Sequence, residues 1–143
     1  MSRVKTTTSD DLLRYAARHK ISVEEYGLPR TGSVSACVGG KCYVGIDPGI
    51  TNADRLVHLA HEIGHCVRGA FYNMYAARDF RSKHERKADE WAIRRIVPLA
   101  LLKKAIRHGS TEPWQIAEDF NITCEFAEKA MIYWKEKCGC SKL

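Results

Sequence analysis

At 143 residues, with 45% hydrophobic and 28% charged side chains, the chain has the composition of one soluble globular domain, long enough to bury roughly two thirds of its unfolded surface without staples. Collagen, coiled-coil and disordered readings are excluded, and no stretch approaches the ~18 apolar residues of a membrane-spanning helix. The net charge of +6 is concentrated: residues 78–107 carry ten basic and four acidic side chains, and the remainder balances at 13 against 13.

Such a local excess suits either a solvated helix face or a patch that steers an acidic partner or nucleic acid. No apolar h-region follows the basic residues at the N-terminus, so the expected compartment is cytoplasmic. In that compartment Cys37, Cys42, Cys66, Cys124, Cys138 and Cys140 read as reduced thiols or metal ligands rather than disulfides.

In chain order, residues 9–19 predict a helix capped by Ser9 or Asp10, with Leu12, Leu13, Tyr15 and Ala16 on its apolar side. Ile21–Tyr26 reads as a short strand, closed by Gly27, Pro29 and Gly32. Ser33–Val38 and Lys41–Ile46 flank Gly39-Gly40 and predict a hairpin in which Cys37 faces Cys42. That pair reads as small apolar packing first and as a redox-sensitive disulfide second. A helix is expected from Thr51 or Asn52 to Arg68, with Gly69 as a left-handed cap. Residues 70–83 read as loop or broken helix, and a further helix spans 84–97 and stops at Pro98. Three more follow, at 99–107, 113–120 and 124–136. The expected architecture is one α+β domain, 1–143: a small antiparallel sheet of about three strands packed on a helical bundle. Residues 9–107 would form its core and 110–137 a helical C-terminal subregion.

Chemistry enters at His61-Glu62-Ile63-Gly64-His65, a His-Glu-x-x-His pattern. Residues four apart on a helix share one face, so two imidazoles there can reach a single zinc ion at ~2.0–2.1 Å. Glu62 flanks the same face. It is placed to act as general base on a water that zinc has made acidic, with a pKa near ~7. The phase agrees: Leu56, Leu59, Ala60, Ile63 and Val67 make a buried stripe, with His58, His61, Glu62 and His65 beside it. His58 reads as a supporting or solvated residue. Cys66 reads as a small buried one.

A catalytic zinc needs a third protein ligand. On the 84–97 helix, Ala88, Trp91, Ala92 and Ile96 form the apolar stripe, and Glu85 extends it by one step. A carboxylate on a core-facing side needs a partner, and a metal or a metal-bound histidine provides one. Glu85 is therefore the expected third ligand. Asp89, four residues on, would orient a histidine, and His84 is the rival ligand.

His61–His65 followed by Glu85-x-x-Ala88-Asp89-x-Trp91-Ala92 and Val97-Pro98 resembles the ImmA/IrrE family of small bacterial and phage metallopeptidases. Trp91 stands where that family usually has Phe, and Val-Pro where it has Met-Pro. The Glu-x-x-x-Asp spacing is also similar to the gluzincin peptidases, where the Glu binds zinc and the Asp supports a histidine. The resemblance spans about residues 10–135. It implies a zincin-like fold and a zinc-dependent endopeptidase acting on a protein regulator such as a repressor, often phage- or mobile-element-encoded. It also implies an edge strand above the metal helix that pairs with substrate, for which Lys41–Ile46 is the candidate. Tyr72, Tyr75 and His108 are the candidates for stabilising the oxyanion.

The tail from Trp114 to Phe126 has a helix-turn-helix cadence. This supports a rival reading: a non-proteolytic regulator of the same fold that binds a repressor or DNA. Glu125 and Glu128 near the start of the second helix argue against nucleic acid, and Ile116, Phe120, Ile122, Phe126 and Met131 read as core. Cys138-Gly-Cys140 is one residue short of the usual paired-ligand spacing.

Overall fold

The computed structural model describes residues 5–72 and 75–138. The chain runs α1 (Ser9–Arg18), β1 (Ser22–Glu25), β2 (Ser33–Val38), β3 (Lys41–Ile46), α2 (Asn52–Arg68), α3 (Arg78–Ile96), α4 (Leu99–Arg107), α5 (Pro113–Phe120) and α6 (Cys124–Cys138). It is an α+β fold. Helix α1 is capped one residue earlier than the sequence suggested, by Thr8. The Thr8 hydroxyl accepts from the Asp11 N–H, and the Asp11 carboxylate accepts from the Thr8 N–H, so two orphan donors are satisfied reciprocally. Thr51 caps α2, and Gly69 ends it in the left-handed conformation at φ 60°.

The sheet is mixed, with strand order β1-β3-β2. β2 and β3 form the expected antiparallel hairpin in the expected register, with Cys37 opposite Cys42. β1 instead runs parallel to β3, pairing Ser22 with Tyr43 and Glu25 with Ile46. The connection from β1 to β2 carries the chain past β3's place, so β3 becomes the central strand, with β1 and β2 at the two edges and nothing among the described residues paired beyond β2. The expectation that Lys41–Ile46 is the edge strand is thereby corrected: from Tyr43 to Ile46 both sides of β3 are paired, which leaves no length of ladder for a further strand.

Helix α2 is the axis of the core. Leu56, Leu59, Ala60 and Ile63 are buried in one cluster with Leu12 and Ala16 of α1, Val44 and Ile46 of β3, and Ile93 and Ile96 of α3. Full burial of a Leu or Ile stabilises by about 1.5–3 kcal/mol, which outweighs the ~1 kcal/mol helix cost of a glycine at position 64. That glycine has a packing reason. A Cβ built there would lie 2.7 Å from the backbone oxygen of Ala88, so α2 and α3 touch backbone to backbone at Gly64 and Ala88. His61 and His65 lie on either side of this crossing on α2, and Glu85 and Asp89 on either side of it on α3. The point of closest approach thus sets the distance between the two motifs.

Helix α3 begins six residues earlier than expected. Its first turns, from Arg78 to Lys83, are mostly exposed and carry no apolar stripe, and Ala77 provides no side-chain cap. Neither periodicity nor capping marks that start. At the other end, Arg95 lies over the rings of Tyr15 and Trp91, and Arg94 over those of Tyr133 and Trp134. Two cations of the basic segment are therefore absorbed by packing. In the tail, Ile116, Phe120, Ile122, Phe126 and Met131 are all buried, and the Trp134 indole donates to the Val97 carbonyl at 2.8 Å. α5 and α6 thus complete the core. No described helix is long and apolar enough to cross a membrane. Cys140 lies outside the described residues.

Candidate metal centre

Three side chains converge where α2 and α3 cross. His61 Nε2 lies 2.8 Å from Glu85 Oε1, His65 Nε2 lies 3.2 Å from His61 Nε2, and His65 Nε2 lies 3.3 Å from Glu85 Oε1. Among the described residues this is the group whose donors come close enough to hold one ion, all within 4.8 Å. The chemistry fits a divalent cation. Two imidazole nitrogens and a carboxylate oxygen are a common zinc donor set, and ligands ~2.0–2.1 Å from a tetrahedral ion stand ~3.3 Å apart. Two sides of this triangle already have that length, and the third is a short hydrogen bond.

Each member is held from behind. His61 Nδ1 donates to Asp89 Oδ1 at 2.8 Å, and Lys129 of α6 donates to the other Asp89 oxygen at 3.1 Å. His65 is 6% exposed, and its Nδ1 donates to the Ala70 carbonyl. The left-handed Gly69 turns the chain back and brings that carbonyl under the ring. Glu85 Oε2 accepts from the Tyr72 hydroxyl at 2.6 Å. With both Nδ1 atoms engaged, both Nε2 atoms face the shared point, which is how outer partners orient imidazole ligands.

The electrostatics follow. Burial works against charge on His61, yet its bonds to Asp89 and Glu85 prevail and push it up to about 10. His65 is likewise raised, with burial opposing and Glu85 and the Ala70 carbonyl favouring the charged form. The bonds from His61 and His65 hold the Glu85 carboxyl well below the usual carboxylate range. Burial alone would raise Asp89, but the His61 bond turns the balance downward. The Glu85 carboxylate pushes the Tyr72 phenol up to about 12. These groups together make a strong cation-binding pocket, and a proton and a metal ion compete for its centre.

Glu62 lies beside this triangle and outside it. It is 8% exposed, and both oxygens accept from serines of β2: Oε2 from Ser33 at 2.7 Å and Oε1 from Ser35 at 2.6 Å. Ser33 has one proton and gives it to Glu62, so His58 Nδ1, 2.8 Å from the Ser33 oxygen, is the donor in that contact. The His58 ring in turn packs against Gly32, where a Cβ would come within 3.1 Å of it.

The expected ligands His61, His65 and Glu85 are thus brought together, with Asp89 behind His61. His84 is outside the triangle; its ring stacks on Tyr72 and meets Phe80 edge-on. Of the three oxyanion candidates, Tyr72 reaches the site, Tyr75 is 88% exposed, and His108 caps the end of α4. Ser33, Ser35, the Ala70 carbonyl and Lys129 were not anticipated. The serines had a signal, namely polar residues at i and i+2 of a strand, on the face opposite Val34, Ala36 and Val38. Lys129 and Ala70 had none, because each is placed by tertiary packing.

A family profile described as the IrrE N-terminal-like domain of the M78 peptidases matches residues 38–131. That span contains α2, α3, the three convergent ligand atoms and Glu62. No curated protein gives a significant match.

Proposed function

The chain belongs to the M78 peptidase family, and on that premise we propose that it is a zinc-dependent endopeptidase that hydrolyses a peptide bond of a protein regulator, repressor-like in kind. The observation that carries the reading is the His61–His65–Glu85 triangle with a buried glutamate beside it. His61, His65 and Glu85 hold the ion, and Asp89 orients His61. A divalent cation in this setting supplies Lewis acidity toward the scissile carbonyl and makes water nucleophilic at neutral pH.

The remaining work falls to the chain itself. Glu62 takes the proton of the attacking water on a carboxylate oxygen and delivers it to the departing amine. The Ser33 and Ser35 hydroxyls fix the position of that carboxylate. The outer edge of β2, which carries both serines, pairs with the backbone of the substrate, so the strand that binds the peptide also positions the base. Tyr72 is the hydroxyl nearest the ligands and the best placed to meet negative charge on the carbonyl oxygen. A regulator as target is what the family resemblance implies.

A library of quenched fluorescent peptides tests this reading. Hydrolysis is expected to cease when a chelator strips the protein and to return with one equivalent of zinc. Hydrolysis that survives complete metal removal, or none with zinc bound, contradicts it.

A further inference from the structure

Three thiols lie on the sheet side of α2. The two-residue Gly39–Gly40 turn makes Val38–Lys41 the first hydrogen-bonded pair of the hairpin, so the next pair, Cys37–Cys42, is a non-hydrogen-bonded one. Cα atoms in such pairs stand ~4.5 Å apart with their side chains facing, which is inside the range that a disulfide bridges. Both cysteines are on the inner face of the hairpin, since Cys37 follows Ser33 and Ser35 in the alternation and those serines reach Glu62. Cys66 lies one helical turn beyond Glu62 and so on the same side of α2. Cys42 faces Cys37 across the ladder, and both Cys42 and Cys66 pack against the buried core. Cys42 is thus the middle member of a row of three free thiols, with Cys37 exposed and the other two half-buried. Cys42 and Cys66 also line a cleft of about 1020 Å³ between the end of α1, the hairpin and α2, so solvent reaches the inner pair as well.

We propose that Cys37, Cys42 and Cys66 form a thiol–disulfide exchange site in which Cys42 is the shared partner and a small disulfide is the oxidant. The exposed Cys37 thiol attacks the disulfide RSSR, giving a mixed disulfide at Cys37 and one RSH, which carries off the proton. Cys42 attacks the Cys37 sulfur, a second RSH leaves, and the Cys37–Cys42 bond closes. Two protein thiols are oxidised and one RSSR is reduced to two RSH. Attack by Cys66 on the Cys42 sulfur moves the bond to Cys42–Cys66 and returns the proton to Cys37. In that form β3 is tied to the site helix one turn from Glu62. A bond at Cys37–Cys42 instead staples the edge strand β2 to the sheet.

The sequence suits a direct test, because Arg30, Lys41, Arg55 and Arg68 place the three cysteines on separate tryptic peptides, 31–41, 42–55 and 56–68. The full chain is treated with oxidised glutathione, alkylated, and digested without reduction. Peptide 31–41 linked to 42–55 is the expected product. In Cys37→Ser the link is expected between 42–55 and 56–68. In Cys42→Ser both links are lost, and glutathione remains on 31–41. Recovery of peptide 42–55 fully alkylated from the oxidised wild type overturns the proposal, and the exposed position of Cys37 keeps its serine variant a fair second arm. The map reads cross-links and not hydrolysis, so it succeeds or fails independently of the peptidase reading.

Discussion

Glu62→Gln is expected to lower kcat for peptide hydrolysis by about 10²–10⁴-fold, the usual contribution of a positioned general base, while the purified protein keeps its full metal content. The side chain is nearly isosteric, and its site accommodates the change. The carbonyl oxygen of glutamine accepts from one serine hydroxyl, and its amide donates to the other serine's oxygen. The melting temperature therefore stays close to that of the wild type. What disappears is the anion. Glu62 does not touch the His61–His65–Glu85 triangle but borders it, under two donors from the strand assigned to the substrate. Steady-state kinetics with metal analysis on the same preparation checks the outcome. Wild-type hydrolysis by the variant removes Glu62 from the reaction.

Glu85→Ala acts on the other half of the account. The carboxylate meets His61, His65 and the Tyr72 hydroxyl, and its removal leaves two imidazoles, too few to retain zinc against a chelator. Losing an outer partner such as Asp89 costs about 10–100-fold in metal affinity or activity. Asp89→Asn is therefore expected in that range, and Glu85→Ala beyond it, with hydrolysis lost along with the metal. Glu85 is partly exposed, so the variant still folds, but without its bonds to His61, His65 and Tyr72 it melts below the metal-free wild type. Competition titrations with a zinc-selective dye give the order. An Asp89→Asn variant weaker than Glu85→Ala would reverse the assigned roles of the two carboxylates.

The legible parts of this molecule were those governed by local rules. The hairpin followed from Gly39-Gly40 between two apolar runs, and α2 from Thr51, its stripe and Gly69. The convergent residues followed from helical phase: His61 and His65 one turn apart, and Glu85 and Asp89 on the core side of a second helix. Long-range placement was not legible. Nothing in Ser22–Glu25 tells it to run parallel to β3, and that one pairing decides that β2, rather than β3, is an edge strand. The alternation in β2 also misleads on its own. Val34 and Val38 look like the inward side, yet Val38 is 65% exposed, and Ser33 and Ser35 point inward because a buried carboxylate awaits them there. The start of α3 was hidden for the opposite reason: its first two turns bury little and cap nothing.

Zinc K-edge X-ray absorption on the protein loaded with one equivalent of zinc reads the ligand set of the ion. A shell of nitrogen and oxygen at ~2.0–2.2 Å with two imidazoles and no sulfur is expected. Sulfur scattering at ~2.3 Å would place the ion among the cysteines instead, and the two-helix centre would lose its metal.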